Sequence, residues 1–209
     1  MERNPFPYPS TLQGVYLREL VRCAKACYER GWSFGTAGNF SLRGEDGVAW
    51  QSPSGLNKGE LNPDLFVPVE IATGAVVTPL KTLRPSLEMP VHIGVYRAVP
   101  EAVSVVHTHP RGIVTRSRAG RDLVFQGQEM QKALGCKDHL ETLRVPVVAN
   151  PTPEQMPAFM SETARYVVPG VPMIILAGHG VYAWGRSPME ALCYLEALEF
   201  LCQTSPDQP

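Results

Sequence analysis

No stretch of the 209 residues approaches the ~20 consecutive apolar residues that a membrane span requires. The opening "MERNPFPYPS" lacks the basic segment followed by an apolar one that marks a secretory leader. The expectation is a soluble, cytoplasmic protein with no membrane partner. An excess of one charge is lacking as well. With 19 basic and 20 acidic residues the formal net charge is -1, which gives no electrostatic reason to bind nucleic acid. Any phosphate must therefore be held locally, by a few placed groups. The cysteines number only five, an odd count at unmotivated spacings in a chain long enough to bury a core without stapling, so a disulfide framework is not expected. Cys23, Cys27, Cys193 and Cys202 fall in amphipathic patterns as small core hydrophobes. Repeats, low-complexity tracts and domain-separating linkers are missing too. One domain over residues 1–209 is expected, with the proline-rich residues 1–10 as a flexible lead-in.

What is present is an alternation of helical and extended patterns. Ser10 or Thr11 can cap a helix carrying Leu12, Val15, Tyr16, Leu20, Cys23, Ala24 and Cys27 and stopping at Gly31. "FSLRGEDGVAWQSPS" and "LFVPVEIATGAVVT" read as two hairpins. Ser86 suits the cap of a helix running through Glu88, His92 and Tyr96 to Arg97, and "EAVSVVHTHP" is a strand ended by Pro110. "QGQEMQKALG" and "EQMPAFMSETARYV" read as helices, "LRVPVVAN" as a strand, "MIILAGHGVYAWG" as a bent strand pair and "SPMEALCYLEALEFLCQ" as a closing helix. The sum is an α/β domain, helices over a largely antiparallel or mixed sheet.

Within "VVHTHP", side chains on an extended chain alternate between faces, so His107 and His109 share one face and Thr108 takes the other. Taken alone, the pair fits a metal site and a partnerless strand end equally well. His179, between two glycines in "AGHGVYAWG", adds an imidazole where missing Cβ atoms let the backbone come close to another element. Three histidines with no cysteine fit an open catalytic metal site better than a closed structural one. Three short segments, "GTAGNFS", "SPSGLNKG" and "RPS", combine small hydroxyls with glycine N–H groups and suggest a phosphate cup, with Lys58 beside it. Cys136 and His139 make a Cys-x-x-His pair without a second pair, and a zinc role there is disfavoured. His92 shares a helical face with Glu88 and either orients it or is simply a satisfied buried histidine. Tyr182 and Trp184 suit the core, or the wall of an apolar substrate pocket.

In order and spacing, "GTAGNFSLR", "SPSG", "PSLEMPVHIGVYRAVPEAVSVVHTHP" and "GHGVYAWG" resemble the class II aldolase and adducin head family over about residues 12–202. The resemblance implies a three-layer α/β/α fold around a central sheet, a homotetramer with active sites at subunit boundaries, one divalent metal (usually Zn2+) per subunit, and a phosphorylated ketose as substrate. It also implies that His107, His109 and His179 are the metal ligands and that Thr36, Asn39, Ser54, Gly55 and Ser86 form the phosphate cup. Glu88 would be the acid/base of the fuculose-phosphate aldolase branch. "FQGQEMQKALG" followed by "ETLRVPVVANPTPEQM" resembles instead the branch that dehydrates 5-methylthioribulose 1-phosphate, in which Glu129 would be the acid/base. Burial beside Met130 or Met89 would suit such a carboxylate to proton transfer near neutral pH. Adducin-like members lack the metal ligands, whereas all three histidines are present here.

Overall fold

The computed structural model describes residues 11–45, 47–78 and 82–205. Helix α1 (Thr11–Glu29) buries Leu17, Leu20, Val21, Cys23, Ala24 and Cys27, a three- and four-residue repeat that turns one face of the helix onto a sheet. Leu17 takes the inward place expected for Val15, which is 48% exposed. Ser10, one of the two expected caps, lies outside the described residues, as does the lead-in.

The strands are β1 (Asn39–Arg43), β2 (Val48–Gln51), β3 (Val67–Glu70), β4 (Ser104–Thr108), β5 (Leu123–Phe125), β6 (Leu143–Val145), β7 (Val147–Val148), β8 (Met173–Leu176) and β9 (Gly180–Gly185). Seven of them form one sheet in the order β3-β2-β1-β4-β9-β8-β7, and β5 pairs separately with β6. Every pairing in the large sheet is antiparallel except that of β7 with β8. The remaining helices are α2 (Met89–Ala98), α3 (Arg111–Ser117), α4 (Met156–Ser161) and α5 (Pro188–Thr204).

The alternation of β4 and β9 divides the apolar residues into two cores. Val106, Val181 and Ala183 join Leu20, Phe40 and Leu195 on the face covered by α1 and α5. Val105, Tyr182 and Trp184 join Val91, Val95 and Phe159 on the face covered by α2 and α4. The result is the expected three-layer α/β/α arrangement around a largely antiparallel, mixed sheet. No described helix is long and apolar enough to cross a membrane.

Several local expectations are corrected. "LRVPVVAN" is two strands, because Pro146 lacks the N–H that a continuous ladder needs. β6 serves the small sheet and β7 the large one. The second hairpin forms around Thr73-Gly74 with a short return arm, bridging Val69 to Val76, with Glu70 N–H donating to Ala75 O at 2.8 Å and Val77 N–H to Pro68 O at 3.0 Å. Residues 129–134 form a 3-10 turn rather than an α-helix, and α4 gives way to a 3-10 turn at Thr163–Tyr166. Cys193 is exposed rather than in the core. Helix α3 and strand β5 are additions that the sequence patterns had not suggested.

Helix α3 opens directly after Pro110 without a side-chain cap of its own, and α5 supplies one. Backbone N–H groups of Gly112 and Ile113 donate to Oε1 and Oε2 of Glu199, each at 2.9 Å. A Cβ on Gly112 would lie 2.9 Å from Oε2, so the bare backbone is what lets the carboxylate in. Glu199 is itself buried and anchors the chain that leaves His109. Removing it as Glu199→Ala strands two backbone donors. We expect a stability loss of about 2–4 kcal/mol, seen as a melting temperature lower by about 5–15 °C in calorimetry.

Candidate active site

His107 follows Val106 on β4 and therefore faces α2, and His109, two residues on, stays on that side, with the two ring centroids 4.7 Å apart. His179 enters from the tight β8–β9 turn, where Gly178 holds φ at 66° and His179 N–H donates to Leu176 O at 3.0 Å. One ring nitrogen from each of the three histidines lies within 4.8 Å of the others. This approach requires Gly180. A Cβ there would meet Thr108 O at 2.6 Å and His109 Cδ2 at 2.8 Å.

The rings are held so that their ligand atoms converge. His107 Nδ1–H donates to Val181 O at 3.1 Å, leaving Nε2 as the lone-pair nitrogen. That atom is buried and has no hydrogen-bond partner among the described residues. His179 Nδ1–H donates to Asn150 Oδ1 at 3.1 Å, which likewise frees its Nε2. Burial, then the neighbouring His109 and His179, holds His107 well below the usual imidazole range, and burial with His179 lowers His109. Neutral rings are the form that binds metal. An orphaned buried nitrogen, converging lone pairs and a donor set of three imidazoles fit a divalent transition metal with open coordination positions. Tyr182 stacks on His107 with centroids 4.0 Å apart, a core residue that also walls the site.

Glu88 is the carboxylate of this cluster, with Oε2 3.4 Å from His107 Nε2 and Oε1 3.9 Å from His179 Nε2. It is the boundary residue just before α2 rather than part of that helix, and its side chain makes no capping bond. Ser86, expected as the cap, instead accepts the Glu88 N–H on its Oγ at 3.2 Å. The expected cup segments do converge. Ser52 N–H donates to Phe40 O at 2.8 Å and Phe40 N–H to Ser52 Oγ at 3.0 Å, Ser54 N–H donates to Arg84 O at 2.8 Å, and Pro53 bridges Pro85. Thr36, Ser54 and Gly55 lie exposed along this edge. Two of the expected donors have partners within the protein. Asn39 is buried, its Nδ2 donating to Glu88 Oε2 at 2.7 Å. Lys58 is buried too, donating to Thr36 O at 2.8 Å and Leu56 O at 2.7 Å. Its ammonium ties two loops together, and burial lowers its pKa to about 8.

Glu129 stands apart. It is 68% exposed and pairs with Lys132 Nζ at 2.5 Å and His139 Nδ1 at 3.0 Å. These partners, Lys132 first, lower its pKa. Within one subunit its setting is thus the reverse of the apolar burial expected. Missed altogether were Asn150, which orients His179, and Glu199, which anchors the exit from His109. A polar residue just after a strand was the only signal for the first, and the second had none.

Residues 18–205 match the family described as the class II aldolase and adducin N-terminal domain. The chain belongs to that family. Among its relatives, the methylthioribulose-1-phosphate dehydratase of Citrobacter koseri is 38% identical over 192 residues, covering 90% of this chain and 92% of the relative. The dehydratase of the same name from Leptospira biflexa is 34% identical, covering 90% and 94%. The solved structure of L-fuculose-1-phosphate aldolase from Thermus thermophilus superposes with a TM-score of 0.74 at 27% identity, over 91% of this chain and 93% of that one. YgbL from Escherichia coli superposes at 0.76 and 25%, over 95% and 93%.

Two buried rings give this site a pH signature. Burial lowers His92 to about 3 and pushes His107 well below its usual value, whereas both titrate near ~6.5 once unfolded. Above that pH neither state takes up protons. Below it the unfolded chain does and the folded chain does not, so stability is full above ~6.5 and declines as the pH falls towards ~3. For the metal-free protein, urea midpoints should therefore drop steadily between pH 7 and 5. A flat profile would contradict the burial of these rings.

Proposed function

We propose that the protein is a metal-dependent lyase that removes water from 5-methylthioribulose 1-phosphate, giving 2,3-diketo-5-methylthiopentyl 1-phosphate. The observation that carries this is the cluster of three converging imidazoles with one carboxylate, in a chain 38% identical over nine-tenths of its length to a dehydratase of that substrate. His107, His109 and His179 would hold one Zn2+ per subunit, the metal best matched to three nitrogen donors and an open position. When bound, it would polarise the substrate carbonyl and offset the negative charge that develops on it.

The chain's own groups do the rest. Hydroxyls of Thr36, Ser54 and Ser86 and the N–H of Gly55 are the donors available to the phosphate. Glu129 takes the proton from C3, and the C4 hydroxyl leaves as water after protonation. The resulting enol becomes the C3 ketone when C4 is protonated. Since Glu129 lies on the exposed 129–134 turn, paired with Lys132 and His139, we assign it to the site of a neighbouring subunit in a homotetramer. Leu87 and Phe34, 85% and 71% exposed, flank Glu88 and the cup, and supply apolar surface for a second copy to cover. The one catalytic domain would work in the cytoplasm.

A second reading is favoured by one distance. Glu88 lies 3.4 Å from His107 Nε2, where it could serve as the acid/base for cleavage of the C3–C4 bond, the retro-aldol outcome that yields dihydroxyacetone phosphate and an aldehyde. Single-turnover assay of zinc-loaded protein with methylthioribulose 1-phosphate, following both products, separates the two. We expect diketone, with Glu129→Gln slower by ~10²–10⁴-fold. Dihydroxyacetone phosphate formed at an undiminished rate by that variant would transfer the chemistry to Glu88.

The composite site makes a separate prediction. Inactive Glu129→Gln and His109→Ala subunits, unfolded and refolded together, should regain activity, since some mixed boundaries unite an intact triad with an intact glutamate. Mixtures no more active than their parents would put both residues in one subunit's site.

A further inference from the structure

Behind Glu88 runs a line of polar side chains through an otherwise apolar layer. Asn39 Nδ2 lies 2.7 Å from Glu88 Oε2, Asn39 Oδ1 is hydrogen-bonded to His92 Nε2, His92 Nδ1 lies 2.7 Å from Ser41 Oγ, and Ser41 Oγ lies 2.7 Å from Tyr96 Oη. Asn39, Ser41, His92 and Tyr96 are all buried. The His92 ring also meets Tyr182 edge-on at 5.9 Å, and Tyr182 is the residue stacked on His107.

The direction of these bonds follows from chemistry. An ionised carboxylate only accepts, so Asn39 presents its amide N–H to Glu88 and its oxygen to His92. His92 Nε2 must then carry the proton. A neutral imidazole has only one, and burial lowers the His92 pKa to about 3, so Nδ1 is an acceptor and takes the Ser41 hydroxyl proton. Ser41 Oγ in turn accepts from Tyr96. Every donor points towards Glu88, an arrangement in which each bond polarises the next. A reversed amide would set Asn39 oxygen against the carboxylate oxygen, and the ring's fixed proton opposes that reversal.

We propose that His92 is a positioning residue for the reaction: through Asn39 it fixes the carboxylate of Glu88 as an acceptor turned towards the three histidines. Its hydrogen bonds go to Asn39 and Ser41 and not to the triad, and its effect is on how Glu88 is presented. The inference rests on the reading that Glu88 works at the metal site, whether as the principal acid/base or as the partner of Glu129.

His92→Phe fills the space and breaks both bonds, whereas His92→Gln can still donate to Asn39 and accept from Ser41. With zinc content unchanged, we expect kcat to fall by ~10²-fold in the first, the scale of loss from misplacing a reacting group, with KM nearly constant and most of the rate restored in the second. A loss confined to KM, or a glutamine variant no better than phenylalanine, would overturn the proposal. Ser41→Ala breaks the line one step further back and should give a smaller loss of kcat, should His92→Phe fail to fold.

Nitrogen-15 spectra of the metal-free protein give a readout independent of turnover. They should show His92 as the neutral Nε2–H tautomer, and an Asn39 amide resonance that shifts in Glu88→Gln and in His92→Phe but is retained in His92→Gln. An Nδ1–H tautomer would refute the assigned direction. If wild-type protein fails to turn over the ketose phosphate while these spectra hold, the proposed substrate falls and the positioning of Glu88 stands.

Discussion

The site depends on the register of β4 between its two antiparallel neighbours. Asn39 of β1 lies opposite His107 of β4, and His107 lies opposite Tyr182 of β9, so one row across the sheet carries the amide that holds Glu88, the first histidine and the ring stacked upon it. Since strand side chains alternate, a slip of one residue would send His107 into the core beneath α1 and α5 and turn Val106 towards α2. The two apolar cores prevent that slip, because Val105 and Val106 each fill their own layer. Packing on both faces thus fixes the chemistry at the strand's end.

The same packing sets the electrostatics. Burial makes His107 and His109 cheaper to keep neutral than charged, and neutral imidazole is the ligand form. The carboxylate in reach of those rings accepts a hydrogen bond from Asn39, while Asn150 and the Val181 carbonyl turn two of the rings. The loops that converge on the site's edge are held by backbone bonds and by a buried ammonium, that of Lys58. Lysine beside glycine and serine suggests an anion ligand, but a side chain donating to two carbonyls from within the protein has few donors left for a substrate.

Much of this was legible in the sequence, for definable reasons. Period-two alternation is local, so the shared face of His107 and His109 could be read from six residues. A histidine between glycines signalled a close approach, which the contacts of Gly180 with Thr108 and His109 bear out. The long amphipathic helices and the first hairpin were equally local. What escaped depends on distant partners. Glu199 caps a helix more than eighty residues earlier, and nothing near it announces the role. Pro146 breaks a strand whose halves serve different sheets, whereas its neighbours read as one apolar run. Asn39 and Lys58 stand beside the site as expected, but their burial and their bonds within the protein depend on distant partners that the sequence does not show.

Glu129 shows the limit from the other side. Its candidacy came from the likeness of a whole segment and not from any local pattern, and in the isolated subunit it is a solvated carboxylate paired with Lys132 and His139. Those contacts lower its proton affinity, which is unhelpful for a group that must take a proton and pass it on near neutral pH. Covering the 129–134 turn with a second copy would desolvate the carboxylate and raise that affinity. Displacing Lys132 or His139 on assembly would raise it further. The proposed acid/base would then become competent only where subunits meet, while the three histidines, of which His107 is buried and the others half-buried, already converge within one chain. On the proposed reading the division follows from the fold: strand ends would supply a preformed metal pocket, and a surface turn would supply a proton carrier whose strength assembly sets.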